Sequence, residues 1–209
     1  MAVLDRAAGI VVTAAPGTGS TALLEALLAQ RDAVQVPDPE RARAAGVDAK
    51  HGTVRQLVAA GLLHDDPARR TVTTTRNPFD FYVAEHQRTR TRWVEELRKP
   101  DSWVHTTPGV LDQVVDAVTL DFDDWLVKAV GEPGRPRRIN AGHVDEADVV
   151  LRMESLEADL RDLLGLEVQV PRTNVTDRDR AYWRSYTVAG RRLVEQAHAH
   201  DLALFDYRF

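Results

Sequence analysis

A proline, two glycines and three hydroxyl residues stand in a row at Pro16-Gly17-Thr18-Gly19-Ser20-Thr21. Before them, Gly9 to Thr13 is a short apolar, β-rich run of the kind that forms a buried parallel strand. After them, Leu23, Leu24, Leu27 and Leu28 recur at helical spacing. The glycines let the backbone turn tightly and approach a ligand. Ser20 or Thr21 is placed to cap the helix, and the free amides at its start would face the loop. A strand, a small-residue loop and a helix N-terminus together make an anion site, usually for phosphate. The same residues also suit an ordinary strand-to-helix turn. The Gly-Lys-Ser/Thr ending of the triphosphate P-loop is missing, which counts against an ATPase or GTPase.

A second junction follows at Thr71 to Asp80. Thr71 to Thr75 is β-branched and reads as a buried strand, ending at Arg76. Asn77 suits the cap and Pro78 the first turn of a helix carrying Phe79, Tyr82, Val83 and His86, and continuing to Trp93 and Leu97. Ligands of open α/β sheets bind outside the carboxyl ends of the strands, so both junctions are expected to face one crevice. Arg76 stands at that end, where a guanidinium can bind two phosphate oxygens at once, and Arg178 and Arg180 are further cations along the chain. Lys50 and His51 stand just before a helix predicted over 53–63, where Val54, Leu57, Val58 and Leu62 share a face. A free imidazole titrates near ~6.5, so His51 is the candidate base. Structural alternatives exist for each: a salt bridge for Arg76, a capping or merely exposed ring for His51, a solvated charge for Arg178 or Arg180. His86 falls on an apolar helix face and reads as a core histidine. His105 lies in an excursion over 99–109, and His198 and His200 read as solvated. No histidine pair has zinc spacing, so no metal is predicted.

The remaining elements must hold these residues in place. Strands are expected at 33–36 and 149–152, and helices at 110–118, 121–130, 154–164 and 181–200. The aromatic tail Leu204 to Phe209 is expected to dock on the core. Strands alternating with helices predict a parallel α/β sheet. The 209 residues suit one domain spanning 1–209. A net charge of −5 argues against a general nucleic-acid binder despite the arginine clusters at 88–92, 135–138 and 172–184. No run approaches the ~18 apolar residues of a membrane span, and the first residues make no convincing secretory signal. There is no cysteine, so no thiolate nucleophile or disulfide, in keeping with a cytoplasmic protein.

Four segments, taken together, resemble the sulfotransferases that use 3′-phosphoadenosine 5′-phosphosulfate (PAPS), in particular their bacterial and carbohydrate-type members. Pro16-Gly17-Thr18-Gly19-Ser20-Thr21 looks like their 5′-phosphosulfate loop. Arg76-Asn77-Pro78-Phe79-Asp80-Phe81-Tyr82-Val83 looks like their 3′-phosphate segment. Val150-Leu151-Arg152-Met153-Glu154-Ser155-Leu156 with Asp159-Leu160 is similar to their fourth strand and its helix. Asn174-Val175-Thr176-Asp177-Arg178 and the closing Leu204 to Phe209 resemble their C-terminal part. The segments occur in the family's order across nearly the whole chain. Two departures stand out. Gly17 occupies the position after the loop proline where the family often has lysine, and Ala84 the position where it usually has serine.

The resemblance implies a three-layer α/β/α fold with a mostly parallel central sheet, P-loop-like in its donor site. It implies transfer of a sulfuryl group from PAPS, with PAP as product, to a hydroxyl or amine of a small-molecule, carbohydrate or natural-product acceptor. Pro16 to Thr21 would hold the 5′-phosphosulfate and Arg76, with Arg178 or Arg180, the 3′-phosphate. His51 would take the acceptor proton, and Lys50 would replace the missing loop lysine. Two other readings fit the same residues: a small-molecule kinase with an atypical phosphate loop, and a non-catalytic nucleotide-binding relative, to which Gly17 and Ala84 point.

Overall fold

The computed structural model describes residues 1–131, 135–173 and 181–209. In chain order its elements are β1 (Ala2–Asp5), β2 (Ile10–Thr13), α1 (Ser20–Gln30), β3 (Ala33–Val36), α2 (Pro39–Ala44), α3 (Val54–Ala59) and β4 (Arg70–Thr75). They continue with α4 (Pro78–Arg88), α5 (Val94–Leu97), α6 (Trp103–Thr106), α7 (Val110–Thr119), α8 (Phe122–Val130) and α9 (Ala141–Val144). The last are β5 (Val149–Arg152), α10 (Leu156–Leu164), α11 (Val188–Ala197) and α12 (Ala199–Leu204). The chain falls into two compact units, Met1–Arg76 with Asn140–Asn174, and Asn77–Ile139 with Val175–Phe209. Among the described residues no helix is long and apolar enough to cross a membrane.

The first unit is mixed α/β, built on an open five-stranded sheet of order β3-β1-β2-β4-β5. β2, β4 and β5 run parallel, whereas β1 is antiparallel to both β2 and β3. The sheet is therefore mixed, not mostly parallel as expected. The cause is β1, which the sequence reading passed over. Only Arg6 to Gly9 separate it from β2, far too few residues for the crossover that a parallel pair needs. The turn is closed by the Ala8 amide donating to Asp5 Oδ1 (3.0 Å) and the Gly9 amide donating to the Arg6 carbonyl (3.3 Å). Asp5 itself is buried and ion-paired to Arg31.

Side chains alternate across this sheet, as the pleat requires. Val3, Ile10, Val12 and Val72 pack on one face with Leu23, Leu24 and Leu27 of α1 and Leu156 and Leu160 of α10. Ala2, Leu4 and Val11 pack on the other with Val54, Leu57 and Val58 of α3. Helices thus cover both faces. The helix predicted over 53–63 is shorter, ending at Ala59, and begins in a capping box between Thr53 and Gln56.

The second unit is helical. Phe79, Tyr82, Trp125, Leu126, Val130, Val194 and Ala197 form its core. Phe209 packs edge-on against Phe79 (4.9 Å between centroids) and Tyr186 (5.6 Å), so the aromatic tail does dock. α4 passes through a π-helical turn, Thr89–Trp93, into α5. The single helix expected over 181–200 is broken into a 3-10 turn, Tyr182–Ser185, then α11 and α12. Tyr186 is extended, and Thr187 caps α11 by accepting from the Gly190 amide (3.1 Å). Apolar spacing persists through such a break, so periodicity alone does not reveal it. His86 is a core residue, its ring against Phe122 and Trp125. His198, expected to be solvated, is buried: its Nε2 lies 2.8 Å from the Tyr82 hydroxyl. The nearby Asp201 carboxylate accepts from the Ile139 amide (2.7 Å) and Arg138 Nε (3.1 Å).

Candidate functional site

The chain leaves β2 through Ala14 and Ala15 and turns at Gly17 and Gly19, both in the left-handed region (φ 75° and 76°). Gly19 occupies the cap position of α1 and offers no side-chain oxygen there. The expected cap at Ser20 or Thr21 is not made, because both residues lie inside the helix. Ser20 Oγ and Thr18 Oγ1 instead each donate to the Ala15 carbonyl at 2.8 Å. Their protons are spent on shaping the loop. What remains open is backbone: among the described residues, nothing accepts from the amides of Gly17, Thr18, Gly19, Ser20 or Thr21. Such a row of free N–H groups before a helix is suited to an anion. A Cβ on Gly19 would sit 3.2 Å from Met153 Cγ, so the turn is closely packed from the β5 side.

β2, β4 and β5 are parallel neighbours, so their carboxyl ends share one edge of the sheet. Thr18 at the loop meets Thr74 of β4 through their hydroxyls. Arg76, one residue past β4, is buried and donates from Nη1 to the Gly17 carbonyl (3.1 Å). It therefore sits beside the loop, and at least part of its guanidinium braces it. Arg152 at the end of β5 forks onto Asp159, with Nη2 to Oδ1 at 2.9 Å and Nε to Oδ2 at 3.2 Å. Burial alone would raise Asp159, but the donors of Arg152 and Ser155 outweigh it and hold the carboxyl below its ordinary range.

His51 belongs to the same edge. Its Nδ1 lies 2.7 Å from the carbonyl of Ala14, the residue that follows β2. A carbonyl can only accept, so the proton is on Nδ1 and Nε2 carries the free lone pair. The backbone of this turn is held by Asp48 Oδ1, which accepts from the amides of Lys50 (2.7 Å) and His51 (3.0 Å). Burial lowers the His51 pKa and prevails over the Ala14 carbonyl and the Asp48 charge, which raise it. The ring is thus neutral near pH 7, the state a proton acceptor requires. Lys50 is exposed beside it, and its positive charge adds to the lowering.

Two residues that the sequence reading missed complete the edge. Asn140 has left-handed backbone (φ 54°) and donates from Nδ2 to the Pro16 carbonyl (2.8 Å). His143, on α9, is buried with Nδ1 3.2 Å from Thr13 Oγ1. Thr13 Oγ1 in turn donates to Thr73 Oγ1 (3.3 Å). The left-handed asparagine was the only local signal, since Asn tolerates that conformation. The pairing of residues 130 positions apart has none.

Pro16, Gly17, Thr18, Gly19, Ser20, Thr21, Arg76, Lys50 and His51 thus all belong to the first unit. Arg178 and Arg180 lie outside the described residues. Ala84 is buried on α4 of the second unit, and His105 is exposed, with Nε2 3.1 Å from the Leu97 carbonyl. Among the described residues no group of three or more His, Cys, Asp or Glu is placed to hold a metal ion. Comparison of the chain with protein-family models, with curated proteins and with solved structures finds no match.

Proposed function

We propose that the chain is a sulfotransferase that moves a sulfuryl group from PAPS to a hydroxyl or amine of a small-molecule, carbohydrate or natural-product acceptor. The observation that carries this reading is the row of amides from Gly17 to Thr21 without an acceptor among the described residues, with the His51 ring held to the Ala14 carbonyl on the same sheet edge. The amides would hold the 5′-phosphosulfate. Arg76, beside the loop, would face the 3′-phosphate, and the finer family architecture, three-layer and P-loop-like, belongs to the same proposal. In the transfer, the bond between sulfur and the bridging phosphate oxygen breaks and one between sulfur and the acceptor oxygen or nitrogen forms. His51 Nε2 takes the acceptor proton, and Lys50 offsets charge on the departing PAP. As in phosphoryl transfer, the protein's part is positioning and charge stabilisation.

Thermal stabilisation by nucleotides tests the donor. A ligand that binds only the native state raises the melting temperature by mass action. PAP should raise it more than AMP or ATP at equal concentration. Equal shifts, or none, would remove the donor assignment, and a larger shift with ATP would favour a kinase. The contact between Arg76 and the Gly17 carbonyl favours one competing reading, a non-catalytic nucleotide binder. PAP binding without transfer across a broad acceptor panel would establish it.

A further inference from the structure

We infer that Asn140 is a positioning residue for the anion loop: its side-chain amide holds the Pro16–Gly17 peptide in the orientation that turns the Gly17 amide out to the 5′-phosphate of the nucleotide. The inference rests on the reading of the loop amides as the 5′-phosphosulfate site. The carbonyls of Ala15, Pro16 and Gly17 are all taken by side chains. Thr18 Oγ1 and Ser20 Oγ donate to Ala15, both at 2.8 Å, Asn140 Nδ2 to Pro16 at 2.8 Å, and Arg76 Nη1 to Gly17 at 3.1 Å. Among the described residues, the amides from Gly17 to Thr21 find no acceptor. In a trans peptide the carbonyl and the amide point in opposite directions. Whatever grips a carbonyl here therefore aims the next amide away from itself.

The Pro16–Gly17 peptide needs such a grip. A Pro-Gly pair at the centre of a tight turn has two forms, type I and type II, in which the chain path is kept and the central peptide is reversed. The φ of Gly17, 75°, has the sign of the type II form. Glycine has no Cβ to penalise either sign, so residue 17 does not choose between them. In the reversed form the Pro16 carbonyl would take the place of the Gly17 amide and present a negative dipole to the anion. A donor fixed beside the Pro16 carbonyl decides the matter, and Asn140 is that donor. A carbonyl only accepts, so the Asn140 amide nitrogen, not its oxygen, faces Pro16. Asn140 is itself held in place. Its left-handed backbone (φ 54°) is one that asparagine tolerates. Its own carbonyl accepts from the amides of His143 (2.9 Å) and Val144 (3.1 Å). Glu146, in the same segment, accepts from Thr53 Oγ1 and from the Arg55 amide, both at 2.9 Å.

The test compares PAP with adenosine 3′-monophosphate, which lacks the 5′-phosphate, by calorimetric titration of the full chain. Asn140→Gly removes the donor and accepts the left-handed backbone. Asn140→Asp keeps the shape of asparagine and its tolerance of that backbone with acceptor atoms only, and serves if the glycine variant does not fold. In Asn140→Gly, PAP affinity should fall roughly 3- to 10-fold, the factor by which one lost hydrogen bond depopulates the competent turn. In Asn140→Asp it should fall at least as far, because the carboxylate also repels the Pro16 carbonyl. The 3′-monophosphate should bind both variants as it binds the native protein. Crystal structures of the variants without nucleotide should show the Pro16–Gly17 peptide reversed and the φ of Gly17 negative. An unreversed peptide in both variants, or an equal loss for the two nucleotides, overturns the inference. Where the native protein prefers PAP, undiminished PAP affinity in a variant with a reversed peptide overturns it too. If the native protein binds PAP no tighter than the 3′-monophosphate while the peptide reverses in the variants, the hold on the loop stands and the 5′-phosphate reading falls.

Discussion

The chain makes two strand-to-helix junctions with adjacent strands and finishes them in opposite ways. After β2, the helix begins at a glycine that cannot cap it, and the amides from Gly17 to Thr21 are left open. After β4, Asn77 Oδ1 accepts from the Phe79 amide (3.0 Å), and Pro78 has no amide to leave open. Asn77 Nδ2 is committed too, to the Arg208 carbonyl (2.9 Å) and the Tyr182 hydroxyl (3.3 Å). One helix start leaves a row of amides without an acceptor among the described residues; at the other, the cap side chain takes the first helical amide. The contrast shows that a strand, a turn and a helix do not make a phosphate site by themselves. What matters is whether the chain uses up its own amides.

The largest effect expected on the open side is catalytic. His51→Ala should lower turnover by about 10²–10⁴-fold, the contribution of a general base, with PAP affinity within roughly threefold of native. Native turnover in this variant would make His51 a structural ring. Next comes Arg76→Ala, expected to weaken PAP by on the order of 2 kcal/mol, the scale of a charge-assisted contact. Adenosine 5′-phosphosulfate, which lacks the 3′-phosphate, separates the two jobs of this arginine. A loss specific to PAP places Arg76 on the 3′-phosphate. An equal loss for both ligands reduces it to a brace for the Gly17 carbonyl.

Stability measurements sharpen the comparison of the two starts. Gly19→Ala puts a side chain at φ 76° and against Met153, and should cost about 1–3 kcal/mol in urea unfolding while weakening PAP. Asn77→Ala removes a cap and should cost about 1 kcal/mol with PAP affinity unchanged. If both variants weaken PAP equally, the closed junction is not closed.

The smallest effect is in pH. Burial pulls the pKa of His51, His86 and His143 below the ordinary 6.5. The unfolded chain then binds more protons than the folded one below that value. The stability these neutral rings contribute is complete above about pH 6.5 and is lost as pH falls toward their folded values. Burial pushes Asp5, Asp48, Asp159 and Asp201 upward, but their hydrogen-bond donors prevail and hold them below 3.8. Their contribution is present above about pH 4 and lost below it. Melting temperature should decline gently from pH 7 to 5 and steeply below 4. A flat profile from pH 7 to 5 would mean the rings are not held neutral.

Most of the local structure was legible. The glycine loop between β2 and α1, the threonine strand β4, the cap at Asn77 with Pro78 after it, and the strands β3 and β5 all follow from signals within a few residues. The reason is that turns, caps and amphipathic faces are set by neighbours in the chain. The position of Lys50 and His51 before a short helix was legible for the same reason. What the tertiary structure decided is everything that requires a distant partner. Arg31, 26 residues on, pairs with Asp5 and lets it be buried, and β1 lies antiparallel in the sheet. Thr18 and Ser20 looked like ligand-binding hydroxyls, yet Ala15 takes both of their protons. The His51 proton is placed by the Ala14 carbonyl, 37 residues back along the chain, and His143 meets Thr13 from 130 residues away. Sequence spacing encodes which side chains share a face. It does not encode which lone pair a folded backbone leaves open, because that depends on the last hydrogen bond made across the fold.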